Sequence, residues 1–69
     1  METLKINGKE KEFPDGLPYT LIDLLKYLNI NETIVIAELD GKIVTREDFA
    51  KSILSTGQRV ELIRFIGGG

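Results

Sequence analysis

The sequence predicts one α+β domain in which a single amphipathic helix packs across a mixed β-sheet. Three observations predict it. Two stretches near the start alternate polar and apolar residues and are joined by Asn7-Gly8, a hairpin pattern. A later stretch sets Leu21, Leu24, Leu25 and Leu28 at i, i+3, i+4 and i+7, the spacing of one helix face. The remainder returns to β-branched and alternating segments broken at Asp40-Gly41 and Thr56-Gly57.

The elements follow in order. Thr3-Leu4-Lys5-Ile6-Asn7 reads as a strand, and Asn7-Gly8 favours a type I′ turn because both residues tolerate positive φ. Lys9 to Phe13 should return antiparallel, with Leu4, Ile6 and Phe13 on the buried face. Pro14-Asp15-Gly16-Leu17-Pro18 ends the hairpin, since proline cannot donate to a sheet and glycine frees the backbone. Thr20, with Asp23 three residues on, is placed to cap the helix that carries the leucine stripe. That stripe could face a partner, but so small a domain needs its leucines in the core. Asn29-Ile30-Asn31 is the expected exit.

"TIVIAEL", Thr33 to Leu39, is apolar at nearly every position, which predicts a strand covered on much of both faces. Asp40-Gly41 marks a turn into a short strand over Lys42 to Val44. "TREDFAKSIL" carries Phe49, Ile53 and Leu54 at near-helical spacing behind Thr45 as a cap, predicting a short second helix. Gln58 to Phe65 alternates again, with Val60 and Leu62 on one face and Ile63 and Phe65 on the other or at a bend. This order is that of the β-grasp fold, with a mixed sheet of four to five strands. The expected division is a β-grasp domain over residues 1–66 and a flexible glycine tail over residues 67–69.

Composition narrows the chemistry. At 69 residues there is room for one domain, near the size limit at which a hydrophobic core alone suffices. The sequence has no Cys and no His, so disulfides, thiolate metal sites, a cysteine nucleophile and the commonest general base are all excluded. Its nine basic residues are scattered, with a net charge of −2, which argues against a phosphate-binding surface. The longest purely apolar run, Ile34 to Ala37, is far too short for a membrane span, and "METLKING" lacks the pattern of a secretory leader. A cytoplasmic protein is expected.

Few side chains are placed to do chemistry. The pairs Glu10 with Glu12 and Glu47 with Asp48 lie on segments that read as solvent-facing. Glu38 and Asp40 lack the spaced third ligand a divalent cation needs. Arg46, Arg59 and Arg64 could steer an anion or simply be solvated. No catalytic residue and no metal site are therefore expected.

What stands out is "RFIGGG", Arg64 to Gly69. The triplet cannot be a phosphate loop, because the lysine, the Ser/Thr and the following helix are missing. Glycine gains nothing from burial and loses the most backbone entropy on ordering, so Gly67, Gly68 and Gly69 should stay mobile unless gripped. Extended, Ile66 to Gly69 reach roughly 13 Å, enough to thread a narrow channel. A carboxylate on Gly69, with an ordinary pKa of about 3.3 to 3.7, is ionised at neutral pH and can attack the α-phosphate of ATP if an enzyme positions it. The useful chemistry would then lie in the main chain.

On "IAELDGKIVTREDF" and "GQRVELIRFIGGG", and more loosely on "LKING" and "TLIDLLKYL", the chain resembles the small sulfur-carrier proteins of thiamine biosynthesis, the ThiS family of ubiquitin-like β-grasp proteins. The resemblance implies that Gly69 is adenylated by a ThiF-like adenylyltransferase that consumes ATP, with no cofactor bound by the carrier itself. It implies conversion to a thiocarboxylate by a sulfur donor of the cysteine desulfurase type, and sulfur delivery to a ThiG-like thiazole synthase. Gly67 and Gly68 would thread the partner's active site, and Phe65, Ile66 and Arg64 would form the partner interface. Arg46 matches an arginine of the family whose role is structural or partner-facing. Thr45, Asp40 and Gln58 stand where the family commonly has proline, asparagine and aspartate; none touches the tail. The small subunit of molybdopterin synthase shares fold and tail but usually carries Pro-Pro where Arg64-Phe65 stands here, which favours the thiamine carrier. A ubiquitin-like protein modifier and a β-grasp interaction module with idle glycines are the other readings.

Overall fold

The computed structural model describes residues 1–64; Phe65, Ile66, Gly67, Gly68 and Gly69, and with them the expected domain boundary and tail, lie outside the described residues. Strand β1 (Glu2–Ile6) and strand β2 (Lys9–Phe13) form the expected hairpin, with Glu2 opposite Phe13 and Ile6 opposite Lys9. Asn7 and Gly8 both have positive φ, as a type I′ turn requires.

Helix α1 (Leu21–Tyr27) begins where its cap predicts. The Thr20 hydroxyl accepts from Asp23 N, and the Asp23 carboxylate accepts from Thr20 N, a reciprocal capping box. The helix ends at Asn29, whose φ of 59° lets Asn29 N donate to Lys26 O and Ile30 N to Leu25 O, satisfying two carbonyls that would otherwise be orphaned. Leu21, Leu24 and Leu25 are buried, and Leu28 is half-buried at the end of the helix.

Strand β3 (Val35–Leu39), strand β4 (Lys42–Val44) and strand β5 (Gln58–Arg64) complete a five-stranded sheet in the order β2-β1-β5-β3-β4. β1 and β5 run parallel and the other neighbours antiparallel, so the last strand in sequence is the central strand in space. This is the expected β-grasp arrangement. One sheet face, with Leu4, Ala37, Val60 and Leu62, packs on α1 together with Phe13, Phe49 and Leu54.

Two expectations need correction. The strand from "TIVIAEL" is shorter and one-sided: Thr33 and Ile34 belong to a 3₁₀ turn (Glu32–Ile34), and the far face of the sheet is open. Ile36 is 41% exposed, Ile43 69% and Ile63 50%, because among the described residues the one α-helix covers only one face. The second helix is a 3₁₀ segment (Arg46–Lys51) without a side-chain cap from Thr45. Phe49 and Leu54 are buried but stand five apart, off the i+3/i+4 spacing, so no α-helical stripe forms. Ile53 is 57% exposed and instead makes a bridge to Thr20, where Leu21 N donates to Ser52 O and Leu54 N to Tyr19 O.

Candidate functional site

The region from which the chain runs on into Phe65 is the end of β5. β5 is held on both sides: Val35 lies opposite Arg64 and Ala37 opposite Leu62 on the β3 side, and Ile6 lies opposite Val60 on the β1 side. Past Ile6 the backbone of β1 turns away, and Asn7 takes over. Asn7 N donates to Val60 O at 2.9 Å, Leu62 N donates to Asn7 Oδ1 at 2.7 Å, and Asn7 Nδ2 donates to Leu62 O at 3.2 Å.

Beside this end lies a shallow apolar groove of about 390 Å³ walled by Ile6, Leu28, Ile30, Val35 and Leu62, with Asn7 and Arg64 at its polar rim. Arg64 is exposed. On the opposite face Ile36 and Ile63 stand directly across the β3–β5 ladder, and Ile43 lies opposite Glu38 one strand further out. Arg46 is exposed and rims a second cleft, of about 350 Å³, with Ile36, Ile43, Thr45 and Phe49 among its walls. The structure thus brings Arg64 to the groove, keeps Arg46 and Arg59 exposed elsewhere, and leaves Phe65, Ile66 and the three glycines outside the described residues.

The acidic pairs do not assemble into a reaction centre. Glu10, Glu12, Glu47 and Asp48 are all exposed. Asp40 is more than a solvated turn residue, because its carboxylate accepts from Arg59 N at 3.0 Å while Asp40 N donates to Arg59 O. Among the described residues no group of three or more His, Cys, Asp or Glu is placed to hold a metal ion, and no helix is long and apolar enough to cross a membrane. Sequence reasoning placed Asn7 in its turn but missed the contact of its side chain to Leu62. The only available signal was the choice of an amide, which carries both a donor and an acceptor, at the end of a strand.

The sequence model of the ThiS family matches residues 3–69. The chain is 30% identical over 66 residues to the sulfur carrier protein ThiS of Bacillus subtilis, covering 96% of this chain and 98% of that protein. It is 33% identical over 66 residues to a thiazole synthase of Paramagnetospirillum magneticum, covering 96% of this chain but only 20% of that protein. The crystal structure of the thiamine biosynthesis protein ThiS from Geobacter metallireducens matches with a TM-score of 0.83 at 31% identity, over 97% of this chain and 99% of that one.

Proposed function

Because the chain belongs to the ThiS family, we propose that it is a sulfur carrier of thiamine biosynthesis whose cargo rides on the Gly69 carboxylate. The observation that carries this reading is that the family match runs through residue 69 and so includes Gly67, Gly68 and Gly69. The carrier is not itself a catalyst. A ThiF-like adenylyltransferase would bind it, and a Gly69 carboxylate oxygen would attack the α-phosphate of ATP, releasing pyrophosphate. A persulfide from a donor of the cysteine desulfurase type would displace AMP to give an acyl disulfide. A thiol would then cleave the S–S bond, leaving the thiocarboxylate on Gly69 and a disulfide on the donor side.

Arg64 and the groove beside it suit the docking end, because they stand immediately before the segment that must enter the partner. The open face with Ile36, Ile43 and Ile63 adds exposed apolar surface that a partner could cover. The likeness of the whole chain to one fifth of a thiazole synthase supports a ThiG-like synthase as the acceptor of the sulfur. A cytoplasmic setting fits an ATP-dependent activation of this kind.

Intact mass analysis after incubation with the adenylating enzyme, ATP and a sulfur donor tests the proposal. Replacement of one terminal oxygen by sulfur is expected. Its absence with an enzyme verified as active would sink the reading. Turnover of the thiocarboxylate only with the large subunit of molybdopterin synthase would assign the carrier to that cofactor instead.

A further inference from the structure

We propose that Asn7 is a positioning residue that fixes where the last strand ends and so where the sulfur-bearing tail is aimed. Two type I′ turns flank β5, Asn7-Gly8 and Asp40-Gly41, and each lends a side chain to it. Asp40 accepts from Arg59 at the start of the strand, where β5 is also bound through Gln58 and Arg59 to β1. Asn7 acts at the other end. Its backbone N–H closes on Val60, and its side-chain amide meets both the N–H and the C=O of Leu62.

The pairing leaves no ambiguity about the amide, since Leu62 N–H needs an acceptor and Leu62 C=O a donor. Asn7 thereby reproduces the donor and acceptor of a strand residue and adds one rung to the β1–β5 ladder after the backbone has turned away. Without it, β5 beyond Val60 would be held through β3 alone, by the Ala37–Leu62 and Val35–Arg64 pairs. Strand ends held on one side fray at low free-energy cost.

Fraying here has leverage. When a partner's channel grips the tail extended, Leu62 to Gly69 span roughly 23 to 25 Å, and a tilt of about 5° at an unanchored Leu62 then shifts the far end by roughly 2 Å. Misplacement of a reacting atom by about 1 Å can cost up to a hundredfold in rate, a loss that falls on kcat rather than on binding. The kinetic consequence rests on the carrier function proposed above; the contact itself does not.

The matched variants are Asn7→Gly and Asp40→Gly. Glycine keeps the positive φ of each turn and removes only the side-chain contact to β5. Asn7→Asp serves as a second variant that keeps the acceptor for Leu62 N–H but sets oxygen against Leu62 O. Native-state amide exchange and steady-state adenylation by the partner enzyme with ATP are measured for all three. For Asn7→Gly we expect about tenfold or more loss of protection at Leu62 and about a tenfold fall in kcat with KM within about twofold. Asn7→Asp should lie between Asn7→Gly and the unmodified chain. Asp40→Gly should lose protection at Arg59 and keep both kinetic constants. Equal losses of kcat in Asn7→Gly and Asp40→Gly, or unchanged Leu62 protection in Asn7→Gly, would overturn the proposal. If the unmodified chain is not adenylated, the carrier function fails, and the exchange at Leu62 decides the Asn7 contact alone.

Discussion

Leu62 and Ile63 are consecutive on β5 and face opposite sides of the sheet, so cutting each to alanine tests whether one face or both are covered. Leu62 is 8% exposed and Ile63 50%. Either truncation removes three carbons, worth roughly 0.8 kcal/mol each when fully buried. Leu62→Ala should therefore cost about 2.4 kcal/mol in transfer alone, and because the site opens onto the groove the added cavity term is small, giving about 2 to 3 kcal/mol. Ile63→Ala, with half of its surface already in water, should cost about 1.2 kcal/mol.

A chain of this length has a total stability of roughly 3 to 10 kcal/mol, so the difference between the two is a sizeable fraction of the whole. At roughly 4 to 8 °C per kcal/mol for a domain of this size, the midpoint should fall by about 10 to 20 °C for Leu62→Ala and by about 5 to 10 °C for Ile63→Ala. Thermal unfolding followed by circular dichroism reads both, and urea titrations show whether the m-value is unchanged. Equal losses, or the larger loss at Ile63, would refute the one-sided sheet. Ile63→Ala should also remain folded at assay temperature, so any defect in carrier activity would be a contact effect.

Thr20→Ala removes the capping box of α1 and should cost about 1 kcal/mol, read as a fall of roughly 4 to 8 °C in Tm with faster amide exchange in the first helical turn. Phe49→Ala empties a buried ring site and should cost about 3 to 5 kcal/mol, from about a third to all of the total. Collapsed amide dispersion in the NMR spectrum is the expected sign, and a well-dispersed spectrum would show that the 3₁₀ segment does not anchor the core. Adding one residue after Gly69 should leave Tm unchanged and abolish adenylation. Continued adenylation of the extended chain would show that the Gly69 carboxylate is not the acceptor.

Local signals carried the first half of the chain. Asn7-Gly8, the leucine stripe and Thr20 with Asp23 each act over a few residues, and each appears where its own chemistry places it. The failures have a common cause. Ile36, Ile43 and Ile63 carry the β-branched signature of strand residues, but periodicity does not say how many faces of a sheet will be covered. That depends on how many helices the chain can supply, and among the described residues α1 and the 3₁₀ segment carrying Phe49 share one core on one face of the sheet. Ile53 was misplaced for the related reason that spacing alone does not reveal whether a short segment has a surface to bury against. Arg64, which the structure brings to the groove, was legible from its place before the glycines, which lie outside the described residues, whereas the Asn7 contact joins residues separated by 55 positions and has no local trace.

Placing the tail on β5 has a mechanical consequence that the strand order makes clear. A segment leaving an edge strand inherits the fraying of that edge, while β5 is paired through β1 and β3 on its two sides. Through Val60 the strand is held by β1 as well as by β3, whereas from Glu61 to Arg64 the β1 side is held by the Asn7 side chain alone. Both Asn7 and the Val35–Arg64 pair extend the held part of β5 to the end of the described residues. A carrier of the kind proposed gains from such a base, because a partner that locates the rigid domain also finds the fixed point from which the chain leaves it. This also accounts for a core built around β5, the last of the described strands: it forms the middle of the sheet and anchors the point from which the chain runs on at once.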